Sequence, residues 1–174
     1  MPNDSRSRQE KLIKRLRYLW TWELFDSFFL PLLAVVLFRM LDEPLGALTL
    51  YASGLVAWLL WQGSAYWYLK LQAIKTGERI KCEHFRWFAR LKTINWVLIA
   101  LLPAVLALKI LRGDAAFGPD WTFGSFLYIL AILEQINYYH RQLMYDYPTD
   151  WRYLMKHKRL KHSSLRRSLD RLRG

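Results

Sequence analysis

The chain has 174 residues, of which 53% are hydrophobic and 16% aromatic, and a formal net charge of +12. That apolar fraction excludes a disordered chain. Its one cysteine excludes a disulfide scaffold and any thiolate metal cluster built within a single chain.

Residues 1–17 form a basic segment containing Arg6, Arg8, Lys11, Lys14, Arg15 and Arg17. The first apolar stretch follows at residues 18–40. It is too long for a cleavable signal, carries Glu23 and Asp26, and lacks a small-residue cleavage site, so a retained span is expected. Glu23 and Asp26 are three apart and share a helix face. The stretch at residues 45–69 holds no charged residue. About 20 apolar residues suffice to cross a bilayer core. Pro44 is placed to begin this second span, and Gln62 and Tyr66 lie on it at i and i+4.

Residues 70–92 form a basic connection in which Arg86 and Arg90 accompany Phe85, Trp87 and Phe88. A third span is expected at 93–110, with Asn95 near its start, and a fourth at 121–141. The fourth carries Glu134, Asn137, Tyr138 and Arg141 at i, i+3, i+4 and i+7, one stripe of a helix. His140 lies off that stripe by about 120°. Pro31 and Pro103 sit mid-span, where each removes one helix hydrogen bond. None of the four stretches alternates with period two, which excludes strands. A soluble bundle would need a polar face of helical period on each stretch, and 55–61 and 101–108 are apolar all round.

The expected fold is therefore all-α: four transmembrane helices in an antiparallel bundle, with short outer turns making spans one and two neighbours, and likewise spans three and four. Basic residues concentrate before span one, between spans two and three, and after span four. The positive-inside rule then puts both termini and the middle connection in the cytoplasm. A bacterial inner membrane is the expected location, because no eukaryotic sorting signal is present.

The tail, residues 142–174, is basic and amphipathic. Thr149 is placed to cap a helix with Trp151, Leu154 and Met155 on one face, and Ser163 or Ser164 to cap a shorter one with Leu165, Leu169 and Leu172. Such helices lie on anionic membrane surfaces. Arg86, Arg90, Arg152, Lys156, Lys158, Arg159, Lys161, Arg166 and Arg167 are the expected headgroup-binding residues. The tail has no recognised nucleic-acid module, and topology and lipid already account for its charge, so nucleic acid is not an expected partner.

Polar groups within the spans carry the functional expectation. In this topology Glu23, Asp26, Gln62, Tyr66, Asn95, Glu134, Asn137, Tyr138, His140 and Arg141 fall at one depth, in the cytoplasmic leaflet, and the outer leaflet has almost none. Acids inside a membrane are costly and should face the bundle interior, a water-filled cavity or a partner. Arg141 is the expected partner of Glu134. The Glu-x-x-His spacing of bundle di-metal sites is absent, since Asn137 follows Glu134 at that offset. No metal or other cofactor is expected. No nucleophile elbow or phosphate loop occurs.

The sequence thus offers chemistry for interaction but no complete catalytic set. It reads as a small accessory or regulatory membrane protein that binds anionic lipid or a membrane-protein partner through its inner-leaflet polar cluster and basic cytoplasmic face. Two alternatives are an oligomeric proton- or cation-coupled transporter or channel subunit using Glu134, and a lipid-headgroup enzyme with Arg141 holding phosphate.

Overall fold

Each long apolar segment folds as a helix. The computed structural model of the chain describes residues 2–113, 118–143, 152, 155, 156 and 158–171. The elements are α1 (Pro2–Met40), α2 (Ala47–Thr76), α3 (Cys82–Leu111), α4 (Pro119–Tyr139) and α5 (Ser164–Asp170). The fold is all-helical. Arg141 and His162 form an isolated antiparallel bridge, and no strand occurs among the described residues.

The helices run past their expected ends. α1 absorbs most of the basic N-terminal segment, and the expected 70–92 connection shrinks to residues 77–81 because α2 and α3 extend into it. Gly77 stops α2 in the left-handed conformation (φ 73°), where a side chain would be strained. Pro31 and Pro103 lie inside helices that continue through them.

Two helices, α1 over Gln9–Met40 and α3 over Cys82–Leu108, are long and apolar enough to cross a membrane. α2 and α4 fall short of that measure. Their glycine, serine, glutamine and tyrosine residues lower their hydropathy, and several of these are buried between the helices: Ser53, Gln62, Gly63, Ser64 and Tyr66 on α2, and Gly124, Gln135, Tyr138 and Tyr139 on α4.

α1 and α2 are neighbours, as their short turn requires, but α4 packs mainly on α2 and only lightly on α3. The expected pairing of the last two spans is thus secondary to a spine made by α2 and α4, which run parallel. Two glycines explain it. A Cβ on Gly124 of α4 would overlap Leu48, and one on Gly63 of α2 would overlap the Tyr138 ring and the Glu23 carboxylate. Small residues let membrane-type helices approach closely. α1 and α3 flank this spine.

Asp120 holds the far end of the spine. Its Oδ1 accepts from the Thr49 backbone N–H (2.8 Å), and Thr49 Oγ1 donates to the Asp120 carbonyl (3.2 Å). The carboxylate thus sits at the starts of both parallel helices and complements both positive ends. Buried polar groups thus occur at this end of the bundle too, although the sequence leads one to expect almost none there.

The core between the helices contains Leu48, Leu55, Leu59, Ile99, Leu102 and Leu127. Much of the outer surface is apolar as well. Phe28 is 70% exposed and Leu32 61% on α1, Val97 56% on α3 and Phe126 61% on α4.

Serine capping of the short tail helix matches expectation: Ser163 Oγ accepts from the Arg166 N–H (3.1 Å) and opens α5. Its apolar side does not face outward, however. Leu165 is buried beside Tyr66, Phe88, Tyr138 and Tyr139, with Leu169 against the same group. The helix expected after Thr149, with Trp151 and Leu154, lies outside the described residues. Met155 is 77% exposed.

Candidate functional site

The polar residues toward the α5 end of the bundle separate into two groups on opposite sides of the α2–α4 spine. On the α3 side Asn95 is the hub. Its Oδ1 accepts from Trp58 Nε1 and Gln62 Nε2, both at 3.0 Å, and its Nδ2 donates to Gln62 Oε1 (2.9 Å) and Gln135 Oε1 (3.0 Å). The Tyr139 hydroxyl also donates to Gln62 Oε1 (2.9 Å), and Gln135 Nε2 to the Lys92 carbonyl (3.2 Å). Asn95, Gln62 and Gln135 are fully buried. With all the hub's groups satisfied, it is a structural clamp among α2, α3 and α4.

On the α1 side the carboxyls gather. Glu23 Oε1 accepts from Trp67 Nε1 (2.8 Å). Its Oε2 and the Tyr138 hydroxyl lie together against Gly63, buried and without a well-directed hydrogen bond. Asn137 Nδ2 donates to Glu134 Oε2 (3.4 Å). Glu23, Asp26 and Glu134 are close enough to repel one another. None of the three makes an ion pair among the described residues. No group of three or more His, Cys, Asp or Glu side chains among those residues has the geometry to hold a metal ion.

Arg141 does not join them. α4 ends at Tyr139, so the expected stripe stops before Arg141, whose Nη1 donates to the Leu160 carbonyl (2.9 Å). The expected pairing of Arg141 with Glu134 is therefore corrected. His140 packs edge-on against Trp96, 5.9 Å between ring centres, with Nε2 buried and unpartnered. Tyr66 leaves Gln62 behind and reaches down to Ser164 Oγ (2.9 Å).

The returning tail is clasped to the end of α4. The Gln142 N–H donates to the Lys161 carbonyl (2.9 Å), the Ser163 N–H to the His140 carbonyl (3.4 Å), and Ser163 Oγ to the Tyr138 carbonyl. The clasp sets α5 beneath the spine and closes a cavity of about 270 Å³ against α1 and α2. Glu23, Asn137 and Tyr138 form its floor, and Leu12, Leu16 and Leu19 one wall. Arg15, Lys70, Lys161 and Arg167 line its basic end.

Lys70 is held from several sides. Its Nζ donates to Ser164 Oγ (2.7 Å) and lies over the rings of Tyr66 and Trp67 at 5.9 and 5.4 Å. Burial, with Arg167 and Arg15 nearby, pushes its ammonium down to about 8. Arg15 and Arg167 lie near it, and its own hydrogen-bond partner is a hydroxyl, so an anion placed beside Lys70 would be favoured.

Of the expected headgroup residues, Lys161 and Arg167 reach this cavity. Arg86 and Arg90 are exposed on α3, with Arg90 5.7 Å from the Trp87 ring centre. Arg166 pairs with Asp170 at 3.5 Å. Arg152, Lys156, Lys158 and Arg159 are exposed outside it. Trp58, Gln135 and Tyr139 were absent from the sequence expectation. Gln135 and Tyr139 sit at i and i+4, one position along from Glu134 and Tyr138, and that neighbouring stripe was the available signal.

Comparison with protein-family models, curated proteins and solved structures gave no match.

Proposed function

We propose that the chain is a four-span membrane protein of the bacterial inner membrane, with both ends and the α2–α3 turn in the cytoplasm. It acts there as an accessory or regulatory binder of anionic lipid or of a membrane partner. The observation that carries this reading is the inversion of its surface. Large apolar side chains such as Phe28, Leu32, Val97 and Phe126 point outward, while Gln62, Asn95 and Gln135 are fully buried. A soluble bundle would gain nothing from that arrangement, whereas a lipid-solvated one requires it. α2 and α4 fit as spans of lower hydropathy because their polar groups face helices rather than lipid. Both are long enough, at 30 and 21 residues.

The lone cysteine tests the topology. Cys82 is exposed at the start of α3. A membrane-impermeant maleimide is expected to label it in inverted vesicles and to leave it unlabelled in sealed cells. Labelling from the outside would overturn the orientation.

A second reading is favoured by the convergence of Glu23, Asp26 and Glu134 without a base. An oligomer of this chain would use Glu134 as a proton or cation site. Glu134→Gln is then expected to abolish ion flux in reconstituted vesicles. Unchanged flux would remove Glu134 from that role.

A further inference from the structure

The cavity under the spine has the layout of a ligand site rather than a packing defect. Glu23 and Tyr138 line it, with Glu23 Oε2 and the Tyr138 hydroxyl buried together against Gly63 rather than open to the space. Its opposite end is lined by Arg15, Lys70 and Arg167, contributed by α1, α2 and α5. Three separate elements thus bring cations to one point, and Lys70 is held there by Ser164 and two aromatic faces rather than by a carboxylate. Arginine and lysine are the usual partners of phosphate oxygens. The 270 Å³ of space lies just below the usual range of small-ligand pockets, about 300–1,000 Å³, and so suits a small group.

We propose that this cavity binds one phosphate group, carried by a lipid headgroup or by a soluble ester, on Arg15, Lys70 and Arg167. The inference rests on the membrane reading only for the source of the phosphate. A lipid enters from the cytoplasmic leaflet beside Leu12, Leu16 and Leu19, and a soluble ester enters from the cytoplasm.

Trp67 lines the cavity and reports on it. The experiment is a fluorescence titration of the purified full chain in uncharged detergent, with a Trp67→Phe control. Short-chain phosphatidylglycerol and phosphatidylethanolamine are titrated in one arm, and glycerol phosphate and inorganic phosphate in the other. Saturable binding of one equivalent is expected in at least one arm. Loss of one charge-assisted hydrogen bond weakens binding about tenfold, so Lys70→Gln and Arg167→Gln are each expected to raise the Kd by about that factor. Arg167 is exposed on α5, so its replacement tests the site without disturbing the core.

The pH dependence has a fixed sign. The groups facing Lys70 are Arg15 of α1, Arg167 and Ser164 of α5, Lys161 of the clasp, Glu23 at the floor, and Tyr66 and Trp67 on its own helix. A bound phosphate favours the ammonium form. Affinity should therefore hold below about pH 8 and fall as Lys70 deprotonates above it.

Saturation by lipid alone assigns the site to headgroups, and saturation by the soluble esters assigns it to a cytoplasmic ligand. No saturable binding in either arm, or wild-type affinity in both variants, overturns the proposal. Failure of the membrane reading shows separately, as extraction of the chain from membranes by alkaline carbonate without detergent.

Discussion

Replacing Asn95 by alanine is expected to loosen the bundle by about 2–4 kcal/mol. The side chain makes four hydrogen bonds that tie α3 to both helices of the spine. Its removal strands Trp58 Nε1 and Gln135 Oε1 and leaves Gln62 with Tyr139 alone. Each buried polar group without a partner costs about 1–3 kcal/mol. Hydrogen bonds between membrane helices average nearer 0.6 kcal/mol, because separated helices also find partners, which keeps the total at the lower end of the simple sum. Unfolding by sodium dodecyl sulfate, followed by circular dichroism, measures it. In a double-mutant cycle Asn95 and Gln135 should couple by about 1 kcal/mol. A loss under 0.5 kcal/mol would mean that the hub is not a clamp.

Alanine at three α2–α4 glycines is expected to produce effects of opposite sign. Gly54 faces open space, so Gly54→Ala should stabilise by about 0.5–1 kcal/mol through helix propensity. Gly63→Ala must displace the buried Tyr138 ring and the Glu23 carboxyl, and Gly124→Ala must move Leu48, including its backbone. Overpacking of this kind typically costs about 1–3 kcal/mol, which outweighs the propensity gain. The same titration decides it. Stabilisation by Gly63→Ala would show that the spine tolerates wider spacing. Gly63→Ala should also change the Trp67 signal, since Glu23 accepts from Trp67 and would be forced to move.

The helices and the serine cap of the tail are legible in the sequence. Apolar run length and polar spacing along a helix are local properties. The division into an amide clamp and an acid group was not legible, because it depends on which helix is central. A stripe containing Glu134, Asn137 and Tyr138 says that they share a face, not that α1 meets it while Gln135 and Tyr139 turn to α3. The choice of α2 and α4 as spine rests on two glycines, and a glycine within an apolar helix reads equally as a notch or as nothing. Gly54 is the demonstration, since it resembles Gly63 in sequence and meets no neighbour. Arg141 was misplaced because α4 stops at Tyr139 with neither glycine nor proline to announce it. The end is imposed by the tail's return, through backbone pairing of Gln142 with Lys161.

The four long helices are unequal, at 39, 30, 30 and 21 residues. At about 1.5 Å per residue, α4 spans roughly 32 Å, close to a bilayer core, whereas α1 reaches roughly 58 Å. Beyond the end of α4 the bundle therefore continues as three posts with the fourth missing, and α5 occupies part of the vacated position. Only part is filled, because a seven-residue helix is thinner in apolar surface than the turns it replaces. The vestibule beside Lys70 is the remainder. A chain whose fourth helix ran two turns further would have a sealed base and nowhere for an anion to sit.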